Sequence, residues 1–503
     1  MLNSNLAYIS RCKHGFKTQP MKILSKSLIL PLLLFIQLSV LAQNNTQDKI
    51  KQVENGLVGN IQIEGEQPGN LLNRMAYYKI PGLSIAIIQN YKIAWAKGYG
   101  MANDSAKIPV TAKTLFQAAS ISKSLNSVGV LKLVQDKKLD LNTDINVYLK
   151  SWKFPYDSVS KGKKITIANL LSHSAGLTVH GFGGYEPGVP LPTIVQVLNG
   201  ENPANSPAVK SMFEPGLRYE YSGGGTTITQ MIVMDITHMP YADYMKKEVL
   251  KPLGMTGSTY AQPPYDVDQN LLAVAYSPDG KPKKGNYHIY PEQAAAGLWT
   301  NPTDLAKYII ETQLAYEGKS AKVLNQETTK IRLSVHAGND VGFGAFIDKK
   351  DSVLYFSHSG VNEGFRCIYY GSMEGGNGVV VMVNSDNDNV IPELINSVAK
   401  VYNFKGLFHS NIKKVASVPA EVLKSYAGKF YIGPPRTLTI SEDGGKLYAL
   451  AAGEGKRELY PQSNNRFFMK DLPYELEFNK DADGKIHVTL IDGGNKMELK
   501  RAE

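Results

Sequence analysis

Two side chains three residues apart carry the first chemistry in this chain. Ser120 and Lys123 lie in the stretch "LFQAASISKSL" (Leu115 to Leu125), and residues i and i+3 share a helix face. Ile121, Leu125, Val128, Leu131 and Val134 follow at helical spacing, the apolar stripe of a buried amphipathic helix that begins at about the serine. A hydroxyl in the first turn then meets the lysine ammonium. The helix start also offers unpaired backbone N–H groups and a positive dipole end, a good place for a nucleophile whose product carries an oxyanion. Serine is a poor nucleophile without a base beside it. Taken alone, S-x-x-K is weak and is far more often an N-cap serine followed by a surface lysine, so the rest of the chain decides its weight.

Two further stretches bear on it. "PGLRYEYSGGG" contains Tyr221-Ser222-Gly223 just before a helix that starts near Thr227, and "YFSHSGVNEGF" contains His358-Ser359-Gly360 at the end of a strand. No G-K-[S/T] follows Gly223–Gly225, so this run is read as a tight turn with close backbone approach to the helix start, not a phosphate loop. His173 in "LLSHSAGL" is read as a loop-shaping histidine, and Trp299 as core or cleft wall. The remaining histidines show no H-E-x-x-H or paired-ligand spacing, so neither a metal nor another cofactor is expected. Cys367, in "FRCIYYGS", is read as a buried structural thiol.

These residues need elements to hold them. At 503 residues the chain is long enough for two or more domains. The formal charge is +10, but Arg11, Lys13, Lys17, Lys22 and Lys26 supply half of it. No basic cluster interleaved with aromatics suggests a nucleic-acid groove. "MKILSKSLILPLLLFIQLSVLAQ" (Met21 to Gln43) has a basic start and an apolar run, with Val40 and Ala42 placed for signal-peptidase cleavage. Residues 1–42 are therefore read as an upstream segment plus a secretory signal, and the mature protein as periplasmic or secreted with no stable membrane span. Cleavage removes Cys12, which leaves Cys367 unpaired.

Beyond the leader, "GLSIAIIQNYKIAWAKGYG" reads as two strands joined near Asn90, followed by a long helical and loop-rich region to about Tyr316. Strands return between Val353 and Ser385, and a last helix, "IPELINSVAKVY", ends near Phe404. Strands, then helices, then strands and a helix imply an α+β fold: an antiparallel sheet flanked by helices, with a helical subdomain, over residues 55–405. Residues 420–503 change character. Short Tyr-, Phe-, Leu- and Thr-rich segments alternate with turns such as "EDGG" and "DADG", which implies a small all-β domain, a barrel or sandwich.

S-x-x-K at Ser120, Y-x-G at Tyr221 and H-x-G at His358, in that order, resemble the serine β-lactamase and penicillin-binding-protein superfamily. The nearest branch is that of class C β-lactamases, D,D-peptidases and esterases. "LLSHSAGL" and "AAAGLWTNPTDLAKY" are similar to connecting segments of that branch, and the tail from Tyr426 resembles the lipocalin-like β-domain often appended to it. The resemblance implies a serine hydrolase that works through a covalent acyl-enzyme on amides or esters: β-lactams, D-amino-acid peptides or small esters. It makes Ser120, Lys123 and Tyr221 catalytic, with the backbone N–H groups of Ser120 and Val361 as the oxyanion hole. His358, Ser359 and Gly360 become substrate-binding, with His358 replacing the family's lysine to hold a carboxylate or polarise Tyr221.

Burial disfavours a charged lysine, so Lys123 with Tyr221 would relay the Ser120 proton, whichever of the two is the base. Gly223 stands where the family has an asparagine that binds the substrate amide. That departure weakens the case for a strong β-lactamase and leaves room for an esterase or another amidase. The competing expectation is a non-catalytic binding or sensing protein that keeps the fold, against which the three intact residues argue. The implied partner is a small-molecule or peptide substrate; the residues leave the oligomeric state open.

Overall fold

The computed structural model describes residues 45–433, 436–451 and 455–502. The leader with Met21, Val40 and Ala42 lies outside the described residues. No helix among the described residues is long and apolar enough to cross a membrane.

The unit that begins at Ile50 is built on a seven-stranded sheet. Its strands are β1 (Gly82–Gln89), β2 (Lys92–Asn103), β3 (Ile108–Pro109), β4 (Phe346–Lys350), β5 (Val353–Asn362), β6 (Phe365–Ser372) and β7 (Gly378–Val383). They lie in the order β3-β2-β1-β7-β6-β5-β4, and each neighbouring pair is antiparallel. Asn90 and Tyr91 join β1 to β2 with φ of 52° and 62°, the left-handed pair that a tight hairpin with right-twisted strands demands.

β1 and β7 read as unbroken apolar runs because helices cover both faces of the sheet. Leu83, Ile85, Val379 and Val381 face one core, while Ala86, Ile88, Val380 and Met382 face the other. Five helices matter for the site or the packing around it: α1 (Ser122–Gln135), α2 (Gly223–Thr237), α3 (Gln293–Ala296), α4 (Pro302–Tyr316) and α5 (Val390–Tyr402). α4 and the long insertion between β3 and β4 form one layer, and α5 lies on the opposite face. This is the α+β fold that the order of strand and helix signals implied.

α1 departs from the amphipathic helix expected of its apolar stripe. Nearly all of it is buried, including the polar Ser122, Ser124, Asn126 and Ser127. Each finds a partner inside: Ser122 Oγ accepts from Leu298 N (2.9 Å), Ser124 Oγ donates to Gly344 O (2.7 Å), and Asn126 Nδ2 donates to Thr229 Oγ1 (2.9 Å). Ser127 Oγ accepts from the buried Arg332 Nε at 2.9 Å. A polar helix face can be buried when every group on it is paired. The polar side chains of α1 thus serve as contacts to neighbouring segments.

The C-terminal region closes into an eight-stranded barrel, β8 (Gly428–Tyr431), β9 (Thr437–Asp443), β10 (Lys446–Ala451), β11 (Arg457–Pro461), β12 (Arg466–Phe468), β13 (Tyr474–Lys480), β14 (Ile486–Asp492) and β15 (Asn495–Arg501). β15 pairs back onto β8, which leaves no free sheet edge. A short helix, α6 (Ala420–Ser425), leads into it.

Candidate active site

Ser120 sits one step earlier than a first α-helical turn. It is the middle residue of a 3-10 turn, Ala119–Ile121, that runs directly into α1. Ala119 before it holds a left-handed backbone, φ 48°, while fully buried. That conformation costs an L-residue about 1–2 kcal/mol, and such strain is characteristic of functional turns.

Lys123 lies one turn on and is 4% exposed. Its Nζ is 3.1 Å from Ser120 Oγ and donates to Ala295 O at 2.8 Å. It also stands 5.0 Å from the centroid of the Tyr221 ring. Ala295 belongs to α3, which Gln230 on α2 clamps from both sides: Nε2 donates to Pro291 O (3.0 Å) and Oε1 accepts from Ala294 N (2.9 Å).

Tyr221 is delivered by the cap of α2. Ser222 Oγ accepts from Gly225 N (2.9 Å), and the carbonyls of His180 and Val179 accept from Gly223 N (3.1 Å) and Gly224 N (2.9 Å). The N–H groups that a helix start leaves unpaired are thereby satisfied. The three glycines therefore form the first turn of the helix rather than the tight turn expected of them. The close approach is real: a Cβ on Gly224 would lie 2.7 Å from Val209 Cγ2, and one on Gly223 would lie 3.0 Å from Phe182 Cε2 and 3.1 Å from His180 O. The 180–182 loop thus packs closely against the backbone at Gly223.

His173 does more than shape a loop. Its ring packs on Tyr221 at 4.4 Å between centroids, and its Nδ1 accepts from Ser222 N at 3.2 Å. Burial, reinforced by the Lys123 charge, holds its pKa well below the ordinary histidine value. It is a neutral platform for the tyrosine.

β5 brings in the third motif. Its register with β4 ends at Ser357 opposite Phe346, so residues 358–362 run beyond the neighbouring strand and form a free edge. The hairpin to β6 places Asn362 opposite Phe365 across a two-residue turn. By the alternation of an antiparallel ladder, the Val361 N–H then points to the free side. Gly360 faces the nucleophile turn so closely that a Cβ would lie 2.3 Å from Ala118 O.

The other two residues of this motif stand differently from expectation. His358 is buried, its pKa is pushed down to about 3 by burial and then by Lys123, and its Nδ1 donates to Ser359 O at 2.6 Å. A neutral imidazole facing Phe346 (5.3 Å) and Tyr221 (6.4 Å) lacks the charge that holding a carboxylate requires. Ser359 alternates to the other side of the strand and lines a separate 240 Å³ cavity with Ile391 and Ile395 of α5.

Between these elements opens a cleft of about 480 Å³, lined by Ser120, Lys123 and Tyr221 with Phe182, Val361 and Asn362. His180 lies beside them and donates from Nδ1 to Tyr221 O at 2.6 Å. Asn362 Nδ2 donates to Gln117 Oε1 (2.8 Å) and Ala296 O (3.1 Å), which ties the strand edge to α3. Sequence reading missed Gln117, His180, Phe182, Gln230 and Asn362. Asn362 stands two residues after H-S-G and Gln117 three before Ser120, so proximity to the motifs was their signal; the 180–182 loop carried none. Cys367 is buried, its pKa raised by burial, and its Sγ donates to Ala118 O at 3.1 Å. Trp299 is core.

A layered sheet with a helical subdomain, and S-x-x-K and Y-x-G converging on the free edge of β5, define the serine β-lactamase and penicillin-binding-protein class. Residues 70–400 match the beta-lactamase family, and the chain belongs to it. Residues 413–501 match a domain of unknown function (DUF3471). Penicillin-binding protein 4* of Bacillus subtilis (strain 168) is 23% identical over 437 residues, covering 82% of this chain and 93% of that protein. The protein flp of Staphylococcus aureus (strain N315) is 25% identical over 362 residues, 70% of this chain and 68% of that one. Among solved structures, an octameric penicillin-binding protein homologue from Pyrococcus abyssi superposes with TM-score 0.60 at 22% identity, over 86% of this chain and 98% of its own. The D-amino acid amidase of Ochrobactrum anthropi SV3 does so with TM-score 0.54 at 20% identity, over 71% and 99%.

Proposed function

We propose that this protein is a secreted or periplasmic serine hydrolase that cleaves amides or esters through an acyl-enzyme on Ser120. The observation that carries this reading is the 3.1 Å contact of Lys123 Nζ with Ser120 Oγ inside a 480 Å³ cleft that also holds Tyr221. Ser120 Oγ attacks the carbonyl carbon, and its proton passes to the Lys123–Tyr221 pair. The oxyanion is held by the N–H groups of Ser120 and Val361, donors that each contribute about 2.7–4 kcal/mol to lowering such barriers. Tyr221 returns the proton to the leaving group, and water then releases the acyl group. We divide the chain into this catalytic domain, 55–405, and an appended barrel, 420–503.

Gly223 directs the choice among substrates. No side-chain amide is available there to grip a β-lactam or peptide amide, and Phe182 and the His180 carbonyl occupy the space. The reading therefore favours small esters and D-amino-acid amides over β-lactams. Two of the similar proteins, a penicillin-binding protein and a D-amino acid amidase, fall within this range.

Intact-mass spectrometry with a fluorescent penicillin, together with turnover of p-nitrophenyl acetate and D-phenylalanine amide, tests it on the wild type and on Ser120→Ala. The expected result is ester or D-amide turnover that vanishes in the variant, with little drug hydrolysis. Rapid penicillin hydrolysis would reverse the substrate order. A variant that behaves like the wild type in every assay would overturn the catalytic reading.

A further inference from the structure

One side chain in the Ser120 cleft has no part in acylation as described. His180 lines the cleft with Ser120, Lys123 and Tyr221, and its side chain is 55% exposed. Its Nδ1 lies 2.6 Å from Tyr221 O. A carbonyl oxygen can only accept, so Nδ1 carries the hydrogen and Nε2 of the neutral ring keeps its lone pair. Among the described residues Nε2 has no hydrogen-bond partner.

The ring is set there by constraints on its own segment. Val179, the residue before it, is buried and left-handed, with φ 65°. That is an outlier for a β-branched residue, and such strain clusters at functional sites. Val179 O accepts from Gly224 N (2.9 Å) and His180 O from Gly223 N (3.1 Å), so the start of α2 fixes the backbone of both residues. The bond to Tyr221 O then fixes the tautomer. Glu220 Oε1 stands 3.7 Å from Nδ1, a carboxylate facing any imidazolium that forms.

Release of an acyl group from Ser120 needs a base for the incoming water and an acid for the departing serine oxygen. Lys123 Nζ touches Ser120 Oγ and is placed for the second task. His180 shares the cleft with an acceptor nitrogen unused, and 480 Å³ holds an acyl group together with a water, whose share of volume is about 30 Å³. We propose that His180 is a further catalytic residue, the general base that activates the water of deacylation. The inference rests on the acyl-enzyme reading above. The water oxygen bonds to the acyl carbon as one of its protons passes to Nε2. The bond from that carbon to Ser120 Oγ breaks, and Oγ takes a proton from the Lys123–Tyr221 pair. The imidazolium then releases its proton and the pair regains one, so acyl-enzyme plus water gives a carboxylic acid and free Ser120.

Turnover of p-nitrophenyl acetate by the full-length protein, with acid-quenched intact mass to count acetyl groups, tests this on the wild type, Ser120→Ala, His180→Asn and His180→Ala. Asparagine can keep the bond to Tyr221 O but offers no Nε2. His180→Asn is expected to lower kcat by about 10² or more and KM with it, while kcat/KM, which reports acylation, holds. One acetyl group per chain is expected to accumulate in that variant. His180→Ala is expected to hold the adduct likewise and to lose it faster when imidazole is added, so whichever variant circular dichroism shows to be folded carries the test. An unchanged kcat in the folded variant would overturn the base. A kcat/KM that falls as far as kcat would make His180 a support for Tyr221 and would also overturn it. Ester turnover that is absent from the wild type, or survives in Ser120→Ala, would instead overturn the acyl-enzyme reading, and this inference with it.

Discussion

Lys123 is the residue on which the proposed chemistry turns, because its amine is the group in contact with the Ser120 hydroxyl. Lys123→Ala is expected to lower the acylation rate by about 10²–10⁴, the usual contribution of a positioned general acid–base group. The check is the rate of adduct formation by intact mass, with the unfolding midpoint measured alongside. Two kinds of buried titratable side chain near the site also give a pH signature. His173 and His358 have folded pKa values depressed below the ordinary 6.5. Their contribution to stability is full above about pH 6.5 and is lost as pH falls toward the folded values. Glu292 works the other way. It is buried, its two carboxylate oxygens have no hydrogen-bond partner among the described residues, and burial raises its pKa from 4.5 to about 7. The folded state therefore binds its proton more tightly, so its contribution is full below pH 4.5 and is lost as pH rises through 7. Glu292→Gln is expected to raise the denaturant midpoint at pH 8 and to leave it nearly unchanged at pH 4.5. Equal effects at both pH values would place the loss elsewhere.

At the scale of elements, the site is an agreement between the turn before α1, the start of α2, the short α3 and the free edge of β5. Each junction has an identifiable contact. Gly360 lets β5 lie against the Ala118 carbonyl, and Gln230 fixes α3 so that Ala295 O can hold Lys123. Gly360→Ala would put a methyl 2.3 Å from that carbonyl, and backbone on either side can yield only by separating Val361 from Ser120. A displacement near 1 Å can cost about 10² in rate. The variant is therefore expected to lose about a hundredfold in ester turnover, with a smaller change in KM than in kcat. Gln230→Ala leaves Ala294 N and Pro291 O without their clamp and is expected to lower both the unfolding midpoint and the acylation rate, by less than Lys123→Ala.

The whole molecule couples a catalytic layer structure to a barrel through the segment between them. Ile61–Ile63 pairs in parallel with Asn411–Lys413, Ala416 N donates to Pro461 O at 2.9 Å, and Lys413 pairs with Glu475 of β13. Arg74 and Tyr78 converge on Glu393 of α5 nearby, with the guanidinium 2.6 Å from the carboxylate. Among the described residues, none of the barrel lines the Ser120 cleft. Truncation after Lys414 is accordingly expected to leave the order of preference among ester, D-amide and β-lactam substrates unchanged while lowering the thermal midpoint. A changed preference, measured as ratios of kcat/KM, would give the barrel a role in specificity.

The residue types and their spacing determined much of this by themselves. Ser120 and Lys123 meet because three residues make one helical turn, the apolar runs of β1 and β7 announce strands, and the alternation after Tyr426 announces a small β-domain. These are local signals, carried by a few consecutive residues. Tertiary structure alone decided the rest. That α1 is buried on its polar side depends on Thr229, Arg332 and Gly344, all more than a hundred residues away in the chain. The neutrality of His358 comes from burial, and the side on which Ser359 falls comes from the register of β5, where one residue's shift exchanges the two faces. The 180–182 loop enters the cleft because backbone carbonyls cap α2, and backbone groups carry no signature in a list of side chains. Hydrogen bonding across long stretches of chain turned three short motifs into one site.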